Sequence, residues 1–176
     1  MPLRGESCRC AVLLPVVLVL AGPSDGQAVE PGPHTILVTG PAALDVTNAL
    51  RGALRKLKNP SCQQLLEDFT DIEGRPLREN LRGSTPGEYL AHLRIHDGEI
   101  PKGSHRCASP GAAAFTSGGA AVFVCGTNFA SRGRTFRENA LIHEMLHTLG
   151  LRENPPGADS PTSAEISRRV AERCGS

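Results

Sequence analysis

The sequence predicts one α/β domain of the α+β kind, closed by two disulfides. Three observations predict it. Short strand-like runs ("TILVT" over 35–39 and "AAVFVCG" over 120–126) sit among longer stretches whose apolar residues recur at helical spacing. The chain has 176 residues, enough to bury one core of ordinary size. Four cysteines (Cys62, Cys107, Cys125 and Cys174) remain once an N-terminal leader carrying Cys8 and Cys10 is set aside.

The leader is expected over residues 1–28, with the domain over 29–176. Arg4 and Arg9 precede the apolar run "CAVLLPVVLVLAG", and small and polar residues follow it, which is the pattern of an export signal. Cleavage after Ala21 or after Ala28 fits, since Val19 and Gly26 lie two positions before them. The run is shorter than the roughly 20 residues a membrane span needs, and Pro15 interrupts it. The expectation is a secreted or periplasmic protein with no stable membrane insertion after cleavage. Cys8 and Cys10 precede the apolar run, so they are not placed for lipid attachment.

In an exported domain four cysteines read as two disulfides, with three possible pairings. We expect Cys107 with Cys125, flanking a Gly-rich hairpin, and Cys62 with Cys174, tying the C-terminal residues to the front half. The chain lacks the C-x-x-C spacing of a zinc-cysteine site. Nineteen basic residues against eighteen acidic ones give a net charge of +1, which excludes nucleic acid as an expected partner. One Tyr, five Phe and no Trp leave no stacking platform for bases or sugars.

The elements follow in order. "TILVT" is the first expected strand, and the "GPAALD" after it lacks the glycine pattern that cradles a phosphate. Asp45–Lys58 is an amphipathic helix through Val46, Ala49, Leu50, Ala53, Leu54 and Leu57, closed by Asn59-Pro60. Ser61 opens a second short helix, "SCQQLLEDF". In "EYLAHLRIHDGE", Leu93 and Ile95 alternate with His92, Arg94 and His96, which reads as a half-exposed strand over Glu88–Glu99. The strand "AAVFVCG" leads to a helix over Phe136–Leu149, where Thr135 and Glu138 have the spacing of a capping box. A last helix, "TSAEISRRVAERC", has the same spacing at Thr162 and Glu165.

The chemistry concentrates in "HEMLHTLGLRE". On a helix His143 and His147 project from one face, one above the other, so that two imidazole nitrogens reach one ion. Glu144 stands about 100° round from His143, placed to hold a water rather than to ligate.

This motif resembles the zincin metallopeptidases, whose active-site helix carries H-E-x-x-H. The implied fold is a small zincin-like domain with a mixed sheet packed on the active-site helix. The implied activity is hydrolysis of a peptide or protein substrate, with Zn2+ on His143 and His147 and Glu144 as general base. Gly150 and Glu153 fall where the metzincins have glycine and a third His, so Glu153 supplies a carboxylate, much as snapalysin-like peptidases have Asp there. No methionine follows to form a Met-turn. Glu165 is the rival third ligand, since gluzincins take theirs from a later helix; His105 and His96 are remote alternatives, and Asp159 ranks below them. The strand "AVFVC" is placed like the zincin edge strand that pairs with substrate. Pro155, Pro156 and Pro161 would stiffen the loop after Glu153. Tyr89 and His105 are the nearest to an oxyanion-stabilising group. The alternatives to a peptidase are a secreted zinc-binding or interaction domain without turnover, and a disulfide-stapled structural domain without metal.

Overall fold

The computed structural model describes residues 36–99, 105–117, 119–153 and 160–175. The expected leader and its cleavage positions lie outside the described residues, as do Pro155, Pro156 and Asp159. Among the described residues no helix is long and apolar enough to cross a membrane.

In chain order the elements are β1 (Ile36–Leu37), α1 (Ala42–Lys56), α2 (Pro60–Gln63), α3 (Leu65–Asp68), a 3-10 turn (Leu77–Leu81), α4 (Pro86–His92), β2 (Arg94–Asp97), β3 (Ala114–Thr116), β4 (Ala121–Val124), α5 (Gly126–Ala130), α6 (Arg134–Thr148) and α7 (Ser163–Cys174). The four strands form one mixed sheet in the order β1-β2-β4-β3. β1, β2 and β4 run parallel, and β3 runs antiparallel to β4. The expected edge strand "AVFVC" is therefore interior: β4 is hydrogen-bonded on both sides, and the edge beside the α6 helix is β3. β3 has little local signal, since "AAFTS" has neither a β-branched run nor a clear alternation.

One sheet face presents Ile95, Val122 and Val124, fully buried, to the core. The other carries a stack of rings in which Phe123 lies 5.3 Å from His96 and 5.2 Å from Phe115. α1 packs Val46, Leu50 and Ala53 into the same core at i, i+4 and i+7 spacing. It begins three residues before the expected Asp45, with Pro41 as N-cap residue. Asn59 does more than end α1: its side chain accepts from Ser61 N and caps α2, with Pro60 at the first helical position.

The expected strand over Glu88–Glu99 is two elements. Thr85 Oγ1 accepts from Glu88 N while the Glu88 carboxylate accepts from Thr85 N, a full capping box that starts α4 at Pro86. Only Arg94–Asp97 is strand. The capping box expected at Thr135 is also absent. Gly133 is the N-cap residue of α6, and Glu138 turns inward, 4% exposed, onto Arg134 (2.8 Å) and Lys56 (3.3 Å). Gly52 makes that possible, because a Cβ there would stand 2.1 Å from a Glu138 carboxylate oxygen. Burial pushes the Glu138 carboxyl up, but the Arg134 and Lys56 partners more than offset it and hold it below its ordinary value.

Both expected disulfides are present. Cys62–Cys174 joins α2 to the end of α7 across 112 residues, and Cys107–Cys125 joins the segment before β3 to the end of β4 across 18. By loop closure alone these contribute about 5 and about 3 kcal/mol.

Candidate metal centre

α6 supplies three of the four residues that matter. His143 and His147 are one turn apart, their rings 4.9 Å between centres and their Nε2 atoms 3.0 Å apart. The outer nitrogens fix the rings. His143 Nδ1 lies 3.1 Å from Ser167 Oγ on α7, and His147 Nδ1 lies 2.9 Å from the Leu151 carbonyl. A carbonyl only accepts, so His147 carries its proton on Nδ1 and presents an Nε2 lone pair inward.

The third group arrives by a sharp reversal. Gly150, at φ +105°, follows the helix, and its N–H donates to His147 O (3.0 Å) while Leu151 N–H donates to Leu146 O (3.1 Å). This is the Schellman pattern, with Leu146 and Leu151 both buried beneath it. The reversal brings Glu153 Oε2 to 3.1 Å from His147 Nε2 and 3.7 Å from His143 Nε2. One ligand atom from each of His143, His147 and Glu153 lies within 4.8 Å of the others.

Other parts of the fold hold the reversal in place. Tyr89 Oη donates to Thr148 O (3.2 Å), so the lone tyrosine caps α6 rather than facing the cleft. Asn80 Nδ2 donates to Leu149 O (2.8 Å) and to Asp71 Oδ2 (3.0 Å). Asp71 in turn accepts from Arg75 and from the backbone N–H groups of Glu73 and Arg75. The Asn80 bond, followed by those from Arg75 and Glu73, drives the Asp71 carboxyl well below its ordinary range against some desolvation.

The chemistry of the donor set suits a cation. His147 Nε2 is an acceptor, and the Glu153 oxygen 3.1 Å from it is an acceptor too. Two acceptors that close need a proton or a cation between them. Burial lowers the His147 pKa and so disfavours the imidazolium. The neighbouring His143 imidazole holds the Glu153 carboxyl below its ordinary value, against desolvation and with help from Ser163. Two imidazoles and a carboxylate suit a divalent ion, and the mix of ring nitrogen and carboxylate oxygen is one that zinc takes.

Glu144 lies beside this group, 8% exposed. Burial pushes its carboxyl up to about 7, and the charge of Glu153 adds to that, while His143 and Arg106 pull the other way. Its carboxyl borders two adjoining cavities between β3, α6 and α7. One, of about 360 Å³, is walled largely by small apolar groups, among them Ala113, Ala140, Ala164 and Ala171. The other, of about 540 Å³, is lined by Arg106, Thr116, His147 and Glu153. His143 and Glu144 line both.

The remaining sequence candidates lie elsewhere. Glu165 sits in the first turn of α7, its N–H on Thr162 Oγ1 (3.2 Å) and its carboxylate 3.8 Å from Arg169. It borders a different cavity, with Phe69 and Asp71. His96 is in the ring stack with Phe123, and His105 is exposed before Cys107. Ser167, Asn80, Asp71 and Arg106 were not foreseen, and nothing in the local pattern around them signals a role; only the fold brings them to the site. No protein-family model, curated protein or solved structure matches this chain.

Proposed function

We propose that this chain is a zinc-dependent peptidase of zincin type, acting in an oxidising compartment outside the cytosol. The observation that carries the reading is the pair of facing acceptors, His147 Nε2 and Glu153 Oε2, 3.1 Å apart beside His143, with a buried carboxyl, Glu144, on the next position of the same helix. Two disulfides support the compartment.

His143, His147 and Glu153 would hold the ion. Zinc bound by them supplies Lewis acidity, which acidifies water and draws charge from a scissile carbonyl. The rest falls to the chain itself. Glu144, with a carboxyl pushed up to about 7, is matched to accept a proton from an attacking water at neutral pH and to return it to the leaving amine. Ser167 and the Leu151 carbonyl hold the two imidazoles in orientation. Among the described residues β3 is an edge strand: its pairing with β4 turns the N–H and C=O of Ala114 outward, where an extended peptide can pair. The alanine-walled cavity suits an apolar side chain next to the bond being cut.

The test is cleavage of a mixed peptide library by the oxidised protein. The reading requires cleavage that a zinc chelator abolishes and added zinc restores. It also requires Glu144→Gln to lower the rate by about 10²–10⁴-fold, the usual worth of a general base. A fully active Glu144→Gln protein would sink it.

A further inference from the structure

Among the described residues that line the cleft, Arg106 is the one with a fixed positive charge. It lines the same cavity of about 540 Å³ as His143, Glu144, His147 and Glu153. Its neighbours explain only part of its bonding capacity. One guanidinium nitrogen, Nη1, donates to Thr116 O at 2.9 Å, and the group lies 5.3 Å from the centre of the Phe115 ring. Arg75, Arg78, Arg134, Arg137, Arg168 and Arg173 each meet a carboxylate, whereas Arg106 meets none among the described residues. A guanidinium has five N–H donors in a planar fork that matches a carboxylate. Among the described residues the rest of that fork meets no hydrogen-bond acceptor, and Arg106 lines the cavity.

Its position is also built. Cys107, the next residue, is bonded to Cys125 at the end of β4, which ties the Arg106 backbone to the sheet. The strand register gives the position a meaning. Ala113 O accepts from Cys125 N, so Ala113 and Phe115 turn their backbone groups toward β4, while Ala114 and Thr116 turn theirs to the open edge. Arg106 already covers the outward carbonyl of Thr116. A peptide pairing along β3 therefore finds the outward backbone groups of Ala114, unpaired among the described residues and beside His143 and Glu144, and a guanidinium two residues further on.

We infer that Arg106 is a substrate-binding residue selecting a carboxylate within about two residues of the bond that lies opposite Ala114. This rests on the peptidase reading and narrows its substrate class to peptides with an acidic side chain there or with their C-terminal carboxylate there. Arg106 is exposed, so the preference is a salt-sensitive one and shrinks as ionic strength rises.

The experiment is peptide binding by fluorescence anisotropy, on the full oxidised chain as purified, with Glu144→Gln to prevent turnover. One pair of otherwise identical peptides differs by Glu against Gln at an internal position, scanned along the peptide. A second pair differs by a C-terminal acid against its amide. We expect the acidic member of one pair to bind about 5–10-fold more tightly at low salt, and the pair that does so identifies the source of the carboxylate. Adding Arg106→Ala brings that ratio to about one, and Arg106→Glu inverts it, so that the neutral member of the pair binds more tightly. Ratios near one for both pairs in the Arg106 protein, or a ratio that survives Arg106→Ala, overturn the inference. Cleavage of the peptides by the wild-type chain separates the two levels. If the wild type cleaves without preference, Arg106 alone loses its role; if no peptide is bound or cleaved, the peptidase reading falls with it.

Discussion

His147 and Glu153 are separated by the reversal at Gly150, yet Nε2 of the one and Oε2 of the other lie 3.1 Å apart. The turn is what makes them neighbours. A straight helix would carry residue 153 about 9 Å further along the axis than residue 147. The C-terminal cap of α6 is thus part of the candidate metal site, and Asn80, Asp71 and Tyr89 hold that cap in place.

Gly150→Ala tests that dependence. The position needs φ +105°, and a Cβ there would come 3.1 Å from the Asp71 Cβ. We expect a loss of about 1–3 kcal/mol in urea unfolding, together with weaker zinc binding in a competition titration. Unchanged zinc affinity would show that the turn does not position Glu153.

Ser167→Ala removes the group that faces His143 Nδ1 at 3.1 Å. Partners of this kind typically matter by 10–100-fold in metal affinity, so the variant should bind zinc at least about 10-fold more weakly with little change in unfolding midpoint. Ser167→Thr, which keeps the hydroxyl, should recover part of the affinity.

The metal-free protein should show a particular pH dependence. Glu144 has a carboxyl raised from 4.5 to about 7 in the fold. Below the lower value it is protonated in both folded and unfolded chains and has no net effect. As pH rises toward about 7 the unfolded chain ionises it and the folded chain resists, so stability falls across that window and stays lowered above it. Glu144→Gln removes the penalty. It should be more stable than the parent above pH 7, by up to about 3 kcal/mol, and equal to it near pH 4. Thermal unfolding of both proteins in chelator, across that range, checks the slope.

The two disulfides should differ in their consequences. Replacing Cys62 and Cys174 together by Ser opens the 112-residue loop and frees the end of α7, which carries Ser167. Replacing Cys107 and Cys125 opens only an 18-residue loop. The first pair should lose more stability in urea, by about 1–2 kcal/mol, if loop closure governs.

How much of this was legible beforehand depends on range. The α6 helix and its paired histidines follow from a fifteen-residue element with a local pattern, and the four cysteines signal two disulfides, whose expected pairing among the three possible ones is the one present. α4 was signalled by Thr85, Pro86 and Glu88, but the alternation of Leu93 and Ile95 was extended backward over it, although a cap outweighs a two-residue alternation. Glu138 has the spacing of a capping residue, and its partner Gly52 lies in another helix, so only packing reveals that it is an internal ion-pair residue. The choice between Glu153 and Glu165 is of the same kind. Both suit their local sequence, and it is the handedness of the turn at Gly150 that brings one of them to the imidazoles.

The most direct test is the metal content of the oxidised chain purified without chelator, by mass spectrometry of the elements, in the wild type and in Glu153→Ala, Glu165→Ala and Glu144→Gln. The account predicts about one zinc per chain in the wild type, Glu165→Ala and Glu144→Gln, and a sharp loss in Glu153→Ala. A wild type without zinc, or a Glu153→Ala protein that holds it as tightly as the parent, would contradict it.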